Sequence, residues 1–261
     1  MERGSNMLCV SSESRNNGRR ISLRPRLETA VGLLGRANVL ADIGCDHGRF
    51  SAAVLQRGLA ESVIASDISA PSLQKARQLA EICGFSDKMD CRISNGFSAY
   101  KKGEADKAVI LGMGGEVIAE ILSGADELAR SLDRIVMQPM RGEAELRCYL
   151  YSNDYCIVDE AVVFDGGRYY QLISAKSGKP QSVPSCFNEG FFQFGAEAFK
   201  KRDPLLLPLM ERYLCIIEKK MQAAALSGEK PERLVFEAES TARLISAYLN
   251  VPRDGAIEQT E

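Results

Sequence analysis

Short apolar runs alternate with longer amphipathic stretches from about residue 25 to residue 152. Five runs rich in Val, Ile, Leu and Ala have the length of strands. Between them, apolar residues recur every three or four positions, the spacing of a helix with one buried face. The pattern predicts strands at 38–43, 62–66, 90–93, 108–111 and 134–137, and helices at about 25–35, 52–59, 71–84, 117–122 and 142–152.

After residue 152 two strand-like runs follow each other with no helix between them. They cover 156–163 and 169–175, and the connection contains Asp165-Gly166, a pair typical of a hairpin turn. We interpret the chain as five strand–helix units followed by a hairpin, an α/β arrangement. This order predicts a Rossmann-like sheet of the type found in methyltransferases that use S-adenosylmethionine (SAM). A dinucleotide dehydrogenase more often continues with strand–helix units.

The C-terminal part is predicted to be an antiparallel, coiled-coil-like pair of helices that breaks at Ser227-Gly228. Its apolar stripes are Leu206, Met210, Tyr213, Ile217 and Met221, then Val235, Ala238, Ala242, Ile245 and Leu249. A segment rich in Lys, Ser, Gly and Pro precedes it and predicts a linker. The expected division is a disordered arm at 1–20, an α/β domain at 21–176, the linker at 177–187, the helical hairpin at 188–250 and a tail at 251–261.

Composition narrows the class of protein. The chain has 261 residues, 45% of them hydrophobic, enough for one large core and a smaller element. No apolar run approaches the roughly 18–20 residues that span a bilayer. The first residues lack the apolar centre of a signal peptide, so we expect a cytoplasmic protein without membrane contact. Eight cysteines without C-x-x-C spacing and a single histidine argue against a metal site and for a reducing compartment.

Charge is distributed unevenly along the chain. The formal net charge is −2, but residues 1–36 carry seven Arg against three Glu, a net charge of +4. A basic N-terminal arm can follow the phosphates of a nucleic acid, whereas short basic tails are often only solvated. Both interpretations stay open at this point.

The turn after the first strand carries the most specific chemistry. Asp42 lies near the end of this predicted strand, and the turn contains Gly44, Cys45, Asp46 and His47. A dinucleotide fingerprint reads G-x-G-x-x-G, and here an acid stands where its second glycine is expected. Two acids at this turn suit a cationic ligand such as SAM better than a pyrophosphate. The alternative is an ordinary strand–helix turn, in which Cys45 is only a small side chain.

Further polar or glycine positions follow the other predicted strands, and strand ends of this kind meet at one edge of a parallel sheet. Asp67 can accept both ribose hydroxyls or cap a helix, and Asn95-Gly96 can line an adenine pocket or form a plain turn. The glycine-rich segment Gly112–Gly115 leaves room for a flat substrate. No Asn/Asp-Pro-Pro-aromatic loop follows that strand, which disfavours methylation of an exocyclic amine.

Four motifs resemble those of the bacterial tRNA (adenine-22-N1)-methyltransferases. They are Asp42-x-Gly44-x-Asp46-His47, Ser66-Asp67-Ile68, Gly112-Met113-Gly114-Gly115 and Gln138-Pro139. The resemblance runs from about Leu23 to Leu249. It implies a Rossmann-like catalytic domain with a C-terminal coiled-coil domain. It also implies SAM-dependent methylation of N1 of an adenine in the D-arm region of tRNA.

The chain departs from the family pattern at four places. Gly48-Arg49-Phe50-Ser51 replaces Ala-Tyr-Leu-Pro, Ala70-Pro71-Ser72 replaces Gly-Pro-Leu, Asn95 replaces Asp, and Met140 replaces Asn. SAM binding tolerates such changes more easily than substrate identity does. The reaction class is therefore better defined than the target base.

Three sets of site residues follow from the motifs and the resemblance. The expected cofactor-binding residues are Asp42, Gly44, Cys45, Asp46, His47, Asp67, Ile68, Asn95, Gly96 and Gly112. The expected catalytic residues are Asp46, Gly112, Met113 and Gly114, and the expected RNA contacts are Arg49, Arg141 and Arg147. In this interpretation the two acids of the first turn hold the ammonium group of SAM. His47 contacts SAM or a phosphate, or caps the helix.

The expected partners are SAM, its product S-adenosylhomocysteine and tRNA, with no metal and no obligate protein partner. Two other interpretations remain. One is a SAM-dependent methyltransferase of a small molecule or protein, and the other is a non-catalytic module that binds SAM or RNA. Turnover separates them, because a binding module retains SAM without producing S-adenosylhomocysteine.

Overall fold

The computed structural model describes residues 20–180, 182–187, 192–227 and 230–250. Nearly all of the expected arm at 1–20 and the whole tail at 251–261 lie outside the described residues. The helices and strands in chain order are α1 Pro25–Leu34, β1 Ala37–Ile43, α2 Arg49–Gln56, β2 Ala60–Asp67, α3 Ala70–Cys83, β3 Met89–Ile93, β4 Lys107–Met113, α4 Gly115–Ser123, α5 Asp126–Arg130, β5 Arg134–Pro139, α6 Glu143–Ser152, β6 Tyr155–Asp165, β7 Arg168–Ser177, α7 Ala196–Lys200, α8 Leu206–Ser227 and α9 Glu232–Asn250.

The seven strands form one sheet in the order β3-β2-β1-β4-β5-β7-β6. The first five strands are parallel, and β7 pairs antiparallel with both β5 and β6. The strand order reverses between β1 and β4, because β2 and β3 lie on one side of β1 while β4 and β5 lie on the other. Open α/β sheets bind their ligands in the crevice at such a reversal, outside the carboxyl ends of the strands.

Three helices cover each face of the parallel strands. Leu40, Val63 and Val109 pack with the apolar faces of α1, α2 and α3. Ile43 and Ile110 point the other way and pack with α4, α5 and α6. Both faces of the parallel strands are therefore buried, which explains why their sequences are continuous apolar runs rather than alternating ones.

The predicted fold class, an α/β sheet that ends in a hairpin, is confirmed. The predicted count of five strand–helix units is wrong, because β3 and β4 are joined by turns over residues 94–106. Tyr100 in this connection is buried, and its hydroxyl donates to the carbonyl oxygen of Ile64 at 3.0 Å. Two buried aromatic side chains, Phe97 and Tyr100, pack edge to face in this connection and fill the space that a helix would cover.

The helices α8 and α9 run antiparallel. The Tyr213 hydroxyl donates to Glu237 at 3.0 Å, and Arg202 donates to the carbonyl oxygen of Tyr248 at 2.8 Å. The predicted stripe of α8 is buried at Leu206, Met210 and Ile217, but that of α9 is wrong. Its buried residues are Ser240, Thr241, Leu244 and Tyr248, whereas Ala242 and Leu249 are exposed.

The error in α9 arises because polar and aromatic residues form the buried face of that helix. The Tyr248 hydroxyl donates to the carbonyl oxygen of Asp203 at 2.9 Å, and Thr241 donates to the Glu237 carbonyl within the helix. A coiled-coil seam and the expected domain boundaries stay predictions. No helix among the described residues is both long enough and apolar enough to cross a membrane.

Candidate functional site

The turn after β1 is fastened to the end of β2. The backbone N–H groups of Gly44 and Cys45 both donate to the carbonyl oxygen of Ser66, at 2.8 and 2.9 Å. Asp46 has a φ of 51°, a left-handed conformation that Asp tolerates better than most residues. At Gly48 a Cβ would lie 2.8 Å from the Cβ of Ala76 in α3, so glycine lets that helix pack directly against the turn.

Three carboxylates lie at this edge of the sheet. Asp42 is buried and accepts a hydrogen bond from the Ser51 hydroxyl at 2.5 Å. Burial raises the pKa of Asp42 to about 6, because desolvation disfavours its charged form. Asp67 accepts from the backbone N–H of Asp46 at 3.0 Å and from that of Ser69 at 2.8 Å. Asp67 therefore caps the turn and still has lone pairs for a ligand, whereas Asp46 is exposed.

A bulge at the end of β4 shapes the opposite wall. Leu111 pairs with Gln138, but Met113 pairs with Pro139, so Gly112 is an extra residue with a φ of 79°. Bulges next to functional sites redirect side chains. Here the bulge directs the Met113 side chain toward the β1 turn. A Cβ on Gly44 would lie only 2.1 Å from the Met113 Cε. Glycine at position 44 therefore leaves room for the Met113 side chain against the β1 turn.

The segment after the bulge packs tightly on the end of β5. The N–H of Gly115 donates to the carbonyl oxygen of Arg141 at 2.8 Å, and the N–H of Met140 donates to that of Met113 at 2.7 Å. A Cβ on Gly115 would lie 2.0 Å from the carbonyl oxygen of Gly142. The glycine-rich motif is therefore explained partly by backbone packing and not only by access for a substrate.

Other residues close the cavity on the side of β2 and β3. Ile68 and Asn95 are exposed at its rim, and the N–H of Asn95 donates to the Ser98 hydroxyl at 3.1 Å. A Cβ on Gly96 would lie 3.1 Å from Ile121, so this wall is also closely packed. The rim therefore combines the apolar side chain of Ile68, the amide of Asn95 and the backbone of Gly96. An apolar side chain suits the face of a flat heterocycle, and an amide suits its polar edge.

These elements enclose a cavity of about 540 Å³ at the reversal of strand order, within the range of small-molecule sites. The structure brings most of the predicted site residues together there. Those that line it are Asp42, Gly44, Cys45, Asp46, His47, Arg49, Asp67, Ile68, Asn95, Gly96, Gly112 and Met113. Gly114 and Arg141 lie next to the cavity without lining it. They are close to each other, because a Cβ on Gly114 would lie 3.9 Å from the Arg141 Nε.

The prediction that Arg147 contacts RNA is wrong. Its side chain is 2% exposed and donates to Glu160 at 2.7 Å and to Gln171 at 2.9 Å. It also donates to the carbonyl oxygens of Phe192 and Gln193, at 3.0 and 3.2 Å. All of these contacts are internal, so Arg147 joins α6 and the hairpin to the segment that leads into the C-terminal helices.

His47 and Cys45 both lie in the turn after β1 and line the cavity. The His47 Nε2 lies 3.2 Å from Lys75 Nζ and 3.4 Å from an Asp46 oxygen, at the rim of the cavity. Burial raises the pKa of the Cys45 thiol, which makes it a poor nucleophile. Among the described residues, no group of three or more His, Cys, Asp and Glu side chains is arranged to hold a metal ion.

Sequence reasoning missed Arg26. This residue of α1 lines the cavity, and its Nη1 donates to the buried Gln138 Oε1 at 2.9 Å. No motif marks it, and its partner lies 112 positions away in the sequence. The seven arginines among residues 1–36 were its only signal, and that excess of charge did not distinguish one arginine from another.

Comparisons with known proteins agree with this geometry. The family model described as "Methyltransferase domain" matches residues 23–173. The tRNA (adenine(22)-N(1))-methyltransferase of Bacillus subtilis is 30% identical over 158 residues. That alignment covers 60% of this chain and 66% of the relative, just under two thirds of its length.

Solved structures extend the likeness to the C-terminal helices. The crystal structure of the B. subtilis m1A22 tRNA methyltransferase TrmK has a TM-score of 0.75 and 25% identity. The match covers 86% of this chain and 99% of that one. TrmK of M. capricolum, in complex with S-adenosyl-homocysteine, has a TM-score of 0.72 and 22% identity, with coverage of 87% and 97%. At that identity, the second likeness concerns the fold alone.

Proposed function

The chain belongs to the methyltransferase-domain family, and from that premise we propose that it transfers the methyl group of SAM to N1 of an adenosine in tRNA. The observation that carries the proposal is the cavity between the β1 turn and the β4 bulge, which has acids on one side and glycines on the other. The proposed target is adenosine 22, the position that the name of the B. subtilis relative gives for that protein, and the family resemblance places it in the D-arm region.

The described residues fit SAM as the cofactor. Asp42, Asp46 and Asp67 give one end of the cavity a negative character that suits an ammonium group. Asp67 retains acceptor capacity for the ribose hydroxyls, and Ile68 with Asn95 and Gly96 would hold the adenine. The glycine at position 44 permits the close approach that a ligand needs at this turn.

The acceptor side lies along Gly112, Met113 and Gly114. Bound SAM supplies a methyl group on a sulfonium, and N1 of neutral adenine takes it with a free lone pair and no proton to remove. The chain therefore needs no general base, and its contribution is to align the base with the methyl group. Met113 closes the space between the two halves of the cavity and excludes water from it.

A tRNA substrate requires the target base to leave its stack, at a cost of a few kcal/mol. The exposed Arg49 and Arg141 lie at and beside the cavity and would bind nearby phosphates. The charge, exposure and position of these two arginines support RNA as the substrate class. We also place the protein in the cytoplasm, because its substrate is modified there.

The decisive experiment incubates the protein with labelled SAM and an unmodified tRNA transcript, followed by nucleoside mass spectrometry. We expect 1-methyladenosine in the product and S-adenosylhomocysteine in equal amount. A matched transcript with guanosine at position 22 should accept no methyl group.

Each other outcome points to a different function. Methylation that persists in the guanosine-22 transcript would place the target elsewhere. Binding of SAM without S-adenosylhomocysteine would favour a non-catalytic module. Turnover with a small molecule or protein, but not with tRNA, would replace the substrate class while leaving the reaction type intact.

A further inference from the structure

Arg26 stands at the junction of α1 and the acceptor side of the cavity. A Cβ on Gly112 would lie 3.7 Å from the Arg26 Nη1, so the guanidinium is next to the β4 bulge. The same nitrogen donates to Gln138 Oε1 at 2.9 Å and contacts the Met140 Sδ at 3.5 Å. Because α1 packs against β5, β6 and β7, the side chain is placed by the core rather than by a loop.

The charge of Arg26 is only partly compensated. Asp165 Oδ2 lies 3.8 Å from Arg26 Nε, which is an ion-pair distance and longer than a hydrogen bond. That oxygen is buried and accepts no hydrogen bond from any described residue. The Tyr170 ring lies 5.7 Å from the guanidinium carbon. These neighbours hold one side of a cation that is 24% exposed, and its Nη2 donates to no acceptor among the described residues.

The chemistry of a guanidinium selects the group that it would bind. Its planar fork of donors matches a phosphate, and the charge is permanent. The N1–N6 edge of adenine is a poor match, since the amino group at N6 is itself a donor. Because a single ribose joins base and phosphate, a nucleotide whose base lies beside Gly112 has its own phosphate within one nucleotide's length of Arg26.

We propose that Arg26 binds the phosphate of the nucleotide that is methylated and thereby fixes the position of its base against the β4 bulge. The inference rests on the proposed function and deepens it. It separates Arg26 from Arg49 and Arg141, which are more exposed and would bind flanking phosphates. Asp165 and Tyr170 keep the guanidinium in place without occupying its Nη2 group.

The first test compares Arg26→Ala and Arg26→Lys with the wild type in steady-state methylation of tRNA. We expect kcat/KM to fall about 10- to 100-fold in Arg26→Ala, the range of a charge-assisted hydrogen bond, and less in Arg26→Lys. The SAM dissociation constant should stay close to that of the wild type in both variants, and any fall in melting temperature from the lost Gln138 and Asp165 contacts in Arg26→Ala should be largely recovered in Arg26→Lys. Arg36→Ala is the matched control, because Arg36 is an exposed arginine at the opposite edge of the sheet.

The second test removes the charge of the phosphate itself. A tRNA assembled from synthetic fragments carries one methylphosphonate at the target nucleotide. The wild type should lose about as much kcat/KM on this substrate as Arg26→Ala loses on normal tRNA. Arg26→Ala should lose almost nothing more, because the partner is already absent.

Two results would overturn the inference. Independent losses that multiply in Arg26→Ala would show that Arg26 does not contact this phosphate. A large change in SAM affinity or melting temperature, with no recovery in Arg26→Lys, would assign it a structural role through Gln138. Absence of 1-methyladenosine with the wild type would instead refute the proposed function.

Discussion

Replacing Arg147 with Ala should destabilise the protein strongly, because the change leaves the Glu160 carboxylate buried without its charged partner. Both side chains are 2% exposed, and their N–O distance is 2.7 Å. The other oxygen of Glu160 accepts from the backbone N–H of Glu197 at 2.9 Å. The carbonyl oxygens of Phe192 and Gln193 would lose a donor at the same time.

The expected loss is about 3–5 kcal/mol, the cost of removing one partner from a buried ion pair. For a chain of this size that loss corresponds to a fall of roughly 6–20 °C in melting temperature. The double change Arg147→Met with Glu160→Leu should recover at least about 1.5 kcal/mol of this loss, since apolar residues of similar volume often replace a buried pair at little cost.

Thermal unfolding followed by far-ultraviolet circular dichroism measures these differences, and it suits a chain that contains no tryptophan. Arg243→Ala is the matched control, because Arg243 and Glu239 form an exposed pair at 3.7 Å. It should change stability by less than about 1 kcal/mol. A loss below about 1 kcal/mol in Arg147→Ala, or a double variant no more stable than Arg147→Ala, would refute the reasoning.

Three further changes test the site. Asp67→Ala should weaken SAM binding at least about tenfold in a calorimetric titration. Asp133→Ala is the control and should not weaken it, because Asp133 is exposed. Equal SAM affinities of the two variants would remove Asp67 from the cofactor site. Gly115→Ala places a Cβ 2.0 Å from a backbone oxygen and should lower the free energy of unfolding in urea by about 3 kcal/mol or more. Gly32→Ala in α1 meets nothing within 4 Å and should raise that free energy by about 0.5–1 kcal/mol. Equal urea midpoints for the two variants would contradict this. Burial raises the pKa of Asp42 to about 6 from 3.8, so the folded state binds this proton more tightly than the unfolded state does. Relative to Asp42→Asn, the wild type should therefore gain about 2–3 kcal/mol as pH falls from about 7 to about 4, and parallel stability curves would contradict that.

The sheet could be predicted because buried parallel strands leave a strong local signal. All five predicted parallel strands and both hairpin strands are present, each longer by one to three residues than its apolar run. The short helices α5 and α7 have too few residues for a periodic pattern, so they were missed. Two features depend on tertiary contacts: the absence of a helix between β3 and β4, and the polar buried face of α9. Tyr100 and Tyr248 are buried by contacts with segments far away in the sequence.

Most of the candidate site follows from one rule, that the ends of parallel strands meet at one edge of the sheet. This rule brings Asp42, Asp67 and Gly112 together although they are far apart in the sequence. It carries no information about arginines on helices. Arg26 was missed and Arg147 was misplaced because each role depends on residues that pack against it in three dimensions, and neither has a local sequence signature.

The departure at Met140 from the family pattern affects the acceptor side rather than the cofactor side. Its backbone N–H bonds to the carbonyl oxygen of Met113, while its sulfur lies 3.5 Å from Arg26 and 3.6 Å from Gln138 Nε2. A thioether is a weaker acceptor than the amide oxygen of an asparagine. The contact with Met140 therefore competes less strongly with a phosphate for Arg26 Nη1 than an amide oxygen at the same distance would. Among the described residues, neither Asp42 nor Asp67 shares a hydrogen bond or ion pair with Arg26 or Met140, so changes at position 140 should alter the use of RNA without altering SAM affinity.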